Sequence, residues 1–563
     1  MVRKKVCALM LAGVIAVPVF ATAGCSGSNI GDTEQSLEVY VWEAGYGSQW
    51  MWDMLEDFSK QDWVKEKYPE LEYDVVSNDQ QTYATDRINA GRANTIDLFV
   101  SAGVSALWES GNLLDLTECV FNQKVPGEDV LFKDKMPASI LKSLEAPKLS
   151  GDTQYFAVAG PTSMGGLVYN VTLFEELGLE KPRTTEELFA LCDKVYDLGG
   201  KSEHYKKTFT FTSSKVSYLG YMFPVWWAQY EGVDQYDNYY SGVYYDAVNN
   251  RTFANDVRTV SQTGRLKSLE VLETIWKGRN GKEYMNKASA NDEFIQGQTK
   301  LFLQEGLIMG CGDWFSTEMR ERAADYYELG YTDTMGFMNA PVLSAIVDKC
   351  PSITSANAQK IGLASADALL SAVVDAVDKG DNTPTGDLAT AGVTQKDFDT
   401  VKSARGVVYS IAANECTVIP SYTNAKELAT DFLLYMATDS ANNIYARNNY
   451  GAQRVFNYKL KEKDPELDAS LSRDYGNTYR IQQDRAAIWE NENTYILPYW
   501  MNYPLFVYGG LKPINGSYES YEAAFIDSAR TVTAKDVFDS NVTYWTQDNN
   551  YRWNTALKNA GLN

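Results

Sequence analysis

The sequence predicts an α/β protein with two or more lobes, and three observations support this prediction. Strand and helix patterns alternate along the first hundred residues, as they do in proteins built around a parallel sheet. One predicted strand, residues 97–100, is apolar after its first residue, which is typical of a strand buried in a parallel sheet. The chain has 563 residues, which is too long for one ordinary hydrophobic core.

The individual elements follow from local patterns of apolar residues. Period-two alternation or a short apolar run predicts strands over residues 37–42, 71–76, 97–100, 167–170, 208–212, 307–310 and 407–412. Apolar residues three and four positions apart predict helices over residues 50–60, 83–91, 291–298, 364–377 and 426–437. A further helix is expected to begin at Thr184 or Thr185, because acidic residues follow in its first turn. Residues 345–405 are rich in Ala, Asp and Thr and predict an insertion.

The first 24 residues have the layout of a secretory signal peptide. Arg3, Lys4 and Lys5 precede an apolar stretch over residues 6–23, and small residues follow it. Residues 22–25 resemble the bacterial lipobox, which implies cleavage before Cys25 and a diacylglyceryl thioether on that residue. Two acyl chains hold a protein firmly on a membrane. The alternatives are an ordinary secreted protein with an incidental cysteine and a membrane-spanning anchor. Residues 25–36 are mostly small and polar, so they predict a flexible tether that spans roughly 18 Å.

Charge and cysteine content exclude several classes of protein. Loss of the three basic leader residues changes the net charge from −23 to −26, and such a surface repels nucleic-acid phosphates. After residue 25 there are five cysteines, widely spaced and without a CxxC motif. They give only weak support to a disulfide framework, and at least one thiol is expected to be free.

Enzyme motifs are missing from the sequence. His204 is the only histidine, so a serine triad or a histidine-based zinc site would have to use it. No GxSxG, GxxxxGK[ST] or strand-linked GxGxxG motif occurs. The acidic residues 380–387 fail the EF-hand spacing. We therefore expect no metal and no cofactor, although paired carboxylates for glycoside hydrolysis are available in any acidic chain.

A set of short segments follows a fixed order along the chain. They are residues 39–43 with the turn 45–47, 94–99, 107–116, 155–161, 167–170, 173–178, 182–188, 294–297, 310–315, 335–342 and 424–433. In this order they resemble the extracellular solute-binding proteins of carbohydrate ABC importers, the family 1 group that includes maltodextrin-binding protein. The resemblance covers most of residues 37–450, is absent from 345–405 and fades after about 455. The family usually has tryptophan where Thr185 stands.

This resemblance implies a two-lobed, periplasmic-binding-protein-like fold of type II. Each lobe is a sheet flanked by helices, and the ligand cleft lies between the lobes. The implied first lobe is residues 37–158 with 342–450, including the insertion, and the second is residues 159–341 with 451–563. Residues 155–161 and 337–342 are the expected hinge crossings. A ligand that contacts both lobes favours the closed state, which the permease subunits recognise.

A sugar site needs flat aromatic rings and a few hydrogen-bonding side chains. Candidates lie at strand ends, where α/β sheets bind ligands, and in aromatic runs, for which a packed core corner is the alternative. The resemblance adds that an aromatic residue at position 314 often stacks on sugar, and that residues 499–500 match a late stacking aromatic. The expected ligand contacts are Trp42, Glu43, Tyr46, Ser101, Gly103, Trp226, Trp227, Tyr230, Asp313, Trp314, Tyr499 and Trp500.

Together these features predict a lipid-anchored, monomeric binding subunit of an ABC importer on the outer face of a cell membrane, with a Gram-positive surface favoured. Its expected ligand is an oligosaccharide and its expected partners are the permease subunits. Two alternatives stay open. The first is a surface glycoside hydrolase that uses two carboxylates. The second is a surface lipoprotein that recognises a peptide or another polymer, or that acts as the partner of a sensor protein.

Overall fold

The computed structural model describes residues 30–43, 45–80, 82–146, 153–161, 164–199, 210–212, 218–240, 242–312, 314–319, 330, 333–410, 415–449, 451–474, 486–489, 510–511, 519–526 and 531–559. The predicted signal peptide, Cys25 and the first part of the tether lie outside these residues. Within them, no helix combines the length and the apolarity that crossing a bilayer requires.

The described strands, numbered β1 to β15 in chain order, are Ser36–Trp42, Glu72–Asn78, Leu98–Ala102, Val158–Ala159, Met164–Asn170, Phe211–Thr212, Tyr244–Asp246, Arg251–Phe253, Ile308–Gly312, Met335–Met338, Val407–Ser410, Glu415–Val418, Ala486–Trp489, Gly510–Leu511 and Glu519–Ser520.

The described α-helices, numbered α1 to α21, are Gln49–Lys60, Asp62–Lys67, Tyr83–Asn89, Ala138–Leu144, Val171–Glu176, Thr185–Leu198, Met222–Glu231, Val233–Tyr240, Thr263–Lys277, Phe294–Phe302, Phe315–Glu318, Ser355–Gln359, Ala366–Asp378, Gly386–Ala391, Gln395–Arg405, Lys426–Met436, Asp439–Asn448, Leu460–Lys463, Pro465–Asp474, Tyr521–Ile526 and Ala534–Asn559. The last one contains a kink at residues 547–550.

The first lobe is built on a sheet with strand order β2-β1-β3-β12-β4. Strand β1 pairs in parallel with both β2 and β3, which confirms the predicted parallel sheet, and β12 joins it antiparallel. Helix α1 buries Met51, Met54, Leu55 and Phe58, the residues at helical spacing, against this sheet and against α16. Burial of a helix stripe of this kind supplies most of the stability of such a layer.

The second lobe is built on a sheet with strand order β13-β11-β5-β9-β6, and β10 also pairs with β5. Strand β5 is fully buried and antiparallel to β9, β10 and β11. The hydrophobic core of the second lobe includes residues of α6, α7, α9 and the C-terminal helix α21. The two sheets and their flanking helices confirm the predicted two-lobed α/β fold.

The chain first passes between the sheets after β4, inside the predicted crossing at 155–161. The predicted second crossing at 337–342 does not pass between the sheets. Strand β10 pairs with β5, and the N–H of Val342 donates to the carbonyl of Arg183 over 2.8 Å, so this segment stays with the second sheet. The return to the first sheet lies instead between the end of β11 at Ser410 and the start of β12 at Glu415.

The insertion at 345–405 has a hydrophobic core of its own, formed by α12 to α15. The predicted helix over 364–377 is confirmed as α13, whereas the shorter, more polar helices around it were not predicted. The Thr184 hydroxyl donates to Asp367 over 2.9 Å, and the Arg405 guanidinium donates to the Ala340 carbonyl over 2.7 Å. Both contacts attach the insertion to segments that belong to the second sheet.

The N-cap of α6 is Thr184, one of the two predicted positions, and its side chain accepts from the N–H of Glu187. Within the described residues, the cysteines at 119, 192, 311, 350 and 416 do not form disulfides with one another, and all but Cys119 are buried.

Candidate functional site

The turn after β1 presents polar and aromatic groups at the carboxyl end of the first sheet. Glu43 is exposed, and its Oε1 accepts from the hydroxyls of Ser77 over 2.7 Å and Ser48 over 3.0 Å. Trp42 is half-buried, and its indole N–H donates to the Asp79 carbonyl over 3.3 Å. Trp42 therefore ends β1 and Glu43 follows it directly, and two serine hydroxyls hold the Glu43 carboxylate in place.

Trp314 connects this turn to the second lobe. It follows β9 closely and is the N-cap of α11, yet its side chain packs into the core of the first lobe. A Cβ atom on Gly45 would lie 2.6 Å from the Cβ of Trp314, so only glycine permits this approach. The Trp314 side chain is 6% exposed and lies where the two lobes meet.

Two tyrosines contact Trp314 on the second-lobe side, and a third stacks on one of them. Tyr218 and Tyr221 meet its ring edge-on, with centroids 6.0 and 5.8 Å away. Tyr221 stacks between Tyr218 and Tyr409, at 5.4 and 6.0 Å. Tyr218 and Tyr221 also pack against the first-lobe core. We call Trp314, Tyr218, Tyr221 and Tyr409 the inter-lobe aromatic cluster.

The three tyrosines of this cluster are absent from the sequence-based list of ligand contacts. Tyr218 and Tyr221 lie on a short 3₁₀ turn, Tyr218–Tyr221, and reach Trp314 only because that turn packs on β9. The one local signal is two tyrosines three positions apart, which is also common in ordinary cores.

The structure gives different environments to the other predicted first-lobe residues. Tyr46 is 7% exposed, and its ring lies 5.9 Å from that of Tyr445, inside the first core. Ser101 is fully buried in β3, and its hydroxyl has no hydrogen-bond partner. Gly103 is exposed just after β3 and adopts a left-handed conformation with φ of 71°. Of these, only Gly103 presents surface to solvent.

Trp226, Trp227 and Tyr230 of α7 are core residues of the second lobe. Both tryptophans are fully buried, and their indole N–H groups donate to Pro341 over 3.0 Å and to Gln262 over 2.6 Å. Tyr230 is 8% exposed and lies under the ammonium of Lys349. All three lie inside the second-lobe core rather than where the two lobes meet, so we assign them to the packed core corner that the sequence left open as an alternative. Asp313, Tyr499 and Trp500 lie outside the described residues.

Partly buried carboxyl groups and one buried arginine lie behind the cluster and at the crossing strands. Burial raises the pKa of Glu318 to about 7, and Gln298 donates a hydrogen bond to its carboxylate. Burial also raises the pKa of Glu415, at the start of β12, to about 7. Burial lowers the pKa of Arg454 to about 10, and Arg454 forms a backbone bridge to Pro161. The crossings thus carry an acid and a base that desolvation drives toward their neutral forms.

A cavity of about 710 Å³ lies elsewhere, between the second sheet and the insertion. It is lined at the carboxyl end of β5, whereas Trp314 lies near the amino end of that strand, since Gly165 pairs with Gly312. The cavity is therefore separate from the aromatic cluster. Among the described residues, no group of three or more His, Cys, Asp or Glu side chains could hold a metal ion.

Comparisons with known proteins agree with this architecture. A family described as bacterial extracellular solute-binding protein matches residues 57–454, more than half of the chain. A solved chitin oligosaccharide binding protein is similar, with 13% identity, a TM-score of 0.51, and coverage of 92% of this chain and 99% of that one.

Two further solved structures are similar at the same level. The apo form of RafE from Streptococcus pneumoniae has 13% identity, a TM-score of 0.50, and coverage of 92% and 98% of the two chains. The GacH receptor of Streptomyces glaucescens has 13% identity, a TM-score of 0.50, and coverage of 93% and 99%. A comparison with curated protein sequences found no match. At these identities the solved structures establish a common fold.

Proposed function

The chain belongs to the bacterial extracellular solute-binding protein family, and from that premise we propose that it captures an oligosaccharide between its two lobes and delivers it to the permease of an ABC importer. The observation that carries this proposal is the inter-lobe aromatic cluster. Its rings belong to the second lobe, and Trp314 touches Gly45 of the first. A ligand stacked there contacts both lobes, and contact with both lobes is what favours closure.

The ligand class is supported by the site and by the similar proteins. Aromatic faces beside carboxylate and hydroxyl groups suit the apolar faces and hydroxyl edges of a sugar. Two of the similar structures are described as a chitin oligosaccharide binding protein and as a receptor in complex with acarbose. We propose Trp42, Glu43, Gly103, Trp314, Tyr218 and Tyr221 as ligand contacts, and we retain Asp313, Tyr499 and Trp500 from the sequence.

The lobe boundaries that we propose follow the sheets. The first lobe comprises residues 36–159 and 415–474, and the second comprises the remaining body with the insertion. This assignment moves residues 342–410 to the second lobe, because β11 and the insertion contacts join the second sheet. It moves residues 451–474 to the first lobe, because Tyr458 and Leu460 pack on Ala446 and Asp464 pairs with Arg447.

A calorimetric screen of the mature protein against a panel of oligosaccharides and peptides tests this function. We expect heat release with at least one oligosaccharide, no cleavage products, and a smaller radius of gyration in solution scattering after binding. Product formation at catalytic turnover would instead favour a surface glycoside hydrolase. Binding to peptides but to no sugar would favour a surface lipoprotein that recognises a peptide or another polymer.

The anchoring that we propose depends on Cys25. Replacing Cys25 with serine is expected to remove the site of lipid attachment, so the protein should move from the membrane fraction to the culture medium. Immunoblots of both fractions measure this change, with the matched variant Ser26→Ala as the control. A variant that stays fully membrane-bound would show that the anchor lies elsewhere.

A further inference from the structure

The backbone fixes Trp314 and Glu318 to each other. Helix α11 is a single turn that begins after Trp314 and ends at Glu318. The N–H groups of Thr317 and Glu318 both donate to the Trp314 carbonyl over 3.0 Å. Whatever holds the Glu318 carboxyl therefore also holds the residue that contacts Gly45.

The partner of that carboxyl is Gln298 of α10. Gln298 is fully buried, its Nε2 donates to Glu318 Oε2, and the same nitrogen lies 3.6 Å from Cys311 Sγ on β9. Its other amide atom, Oε1, is buried and has no donor. Leaving a buried acceptor without a donor costs free energy, and an ionised carboxylate cannot supply one.

We propose that Glu318 is held as a neutral carboxylic acid paired with the Gln298 amide, and that this pair positions Trp314 for ligand. In the pair, the acid accepts from Gln298 Nε2 and donates its O–H to Gln298 Oε1, so both buried amide atoms are satisfied. The ligand part of this inference rests on the proposed function, whereas the pairing itself does not.

Burial favours the neutral form of Glu318, and it outweighs the hydrogen bond from Gln298 Nε2, which by itself lowers the pKa of the carboxyl. Gln298 faces it from α10, Cys311 lies beside that amide on β9, and the phenol of Tyr218 is close enough for its pKa to be raised by burial and also by Glu318. No charged side chain of the described residues forms an ion pair with Glu318. Burial accordingly raises the pKa of Glu318 from 4.5 to about 7.

The raised pKa of Glu318 makes the free energy of unfolding depend on pH. Between about pH 4.5 and 7 the folded protein keeps a proton on Glu318 that the unfolded chain releases, so the free energy of unfolding falls as pH rises through this range. A glutamine side chain at position 318 makes the same two hydrogen bonds at every pH. Glu318→Gln should therefore match the wild type near pH 5 and unfold at a higher urea concentration than the wild type at pH 8.

Urea unfolding of the full mature chain at both pH values measures this difference without any ligand. Glu415 has the same titration in both proteins, so its contribution cancels. A second variant, Gln298→Leu, removes the partner of the acid. In that background the acid has lost both hydrogen bonds, so the pH range over which Glu318→Gln changes the free energy of unfolding should move. An unmoved range would show that the Gln298 amide does not pair with the acid. If the free energies of unfolding of the wild type and Glu318→Gln differ by the same amount at pH 5 and pH 8, Glu318 is not held as a neutral acid.

The pH dependence of ligand affinity tests whether the pair positions Trp314. With the oligosaccharide that the calorimetric screen identifies, the Kd of the wild type should rise as pH passes through 7, by up to about tenfold per pH unit, while the Kd of Glu318→Gln stays flat. A flat wild-type profile would overturn the positioning role. Should no oligosaccharide bind, the proposed function fails while the unfolding experiment still decides the pairing.

Discussion

Replacing Trp314 with alanine is expected to weaken oligosaccharide binding by roughly 1–3 kcal/mol, the usual cost of removing a large aromatic anchor. This corresponds to a rise in Kd of about 5- to 150-fold. The reason is geometric, because Trp314 is the second-lobe side chain that touches Gly45 of the first lobe. Its removal deletes both a stacking face and a contact of the closed state. Calorimetric titration of the folded variant measures the change.

Two variants separate stacking from general damage. Trp314→Phe keeps an aromatic face and should lose less affinity than Trp314→Ala. Trp52→Ala removes a tryptophan that is 36% exposed, away from the aromatic cluster, and should leave Kd unchanged. An unchanged Kd in folded Trp314→Ala would exclude this residue from the site.

The parts of the proposed site that the sequence also predicted are those that closely follow a strand. Trp42 ends β1 and Glu43 comes straight after it, and Trp314 comes two residues after β9. A strand pattern is local, so its end can be located from a few residues, and strand ends are where α/β sheets bind ligands. The same local reasoning located β1, α1, α13 and α16 to within a few residues.

The parts that the sequence missed depend on contacts between distant segments. Tyr218 and Tyr221 join the site because a 3₁₀ turn packs on β9, about ninety residues later in the chain. Trp226 and Trp227 have the composition of a sugar site, yet α7 packs on α9 and buries them. Aromatic residues suit a core and a cleft equally well, so only tertiary packing distinguishes the two.

The crossing at 410–415 was missed for a related reason. Strands β11 and β12 follow each other closely in sequence but pair in different sheets. Alternation and apolar content can identify a strand without indicating its partner. The insertion adds to this ambiguity, since its attachment through Arg405 and Asp367 depends on contacts between residues far apart in sequence.

Closure of the lobes can be tested by adding one methyl group at Gly45. In the Gly45→Ala variant the new Cβ would lie 2.6 Å from the Cβ of Trp314 and 2.8 Å from its ring atoms. Cβ atoms do not approach carbon this closely, and Trp314 Cβ is fixed to the backbone, so the lobes must stay further apart. Overpacking of this kind typically costs about 1–3 kcal/mol. Under the proposed function the contact belongs to the closed state, so we expect this cost to appear as weaker ligand binding.

Two measurements on Gly45→Ala distinguish blocked closure from local damage. The Kd should rise about tenfold, which corresponds to about 1.4 kcal/mol, and solution scattering should show less compaction at saturating ligand than in the wild type. The double variant Gly45→Ala, Trp314→Gly removes both the Cβ and the indole ring that the new methyl group would meet, so adding Gly45→Ala to Trp314→Gly should cost less affinity than it does in the wild type. If Gly45→Ala weakens binding equally in both backgrounds, its effect does not pass through the Trp314 side chain, and that contact between the lobes is not what closure requires.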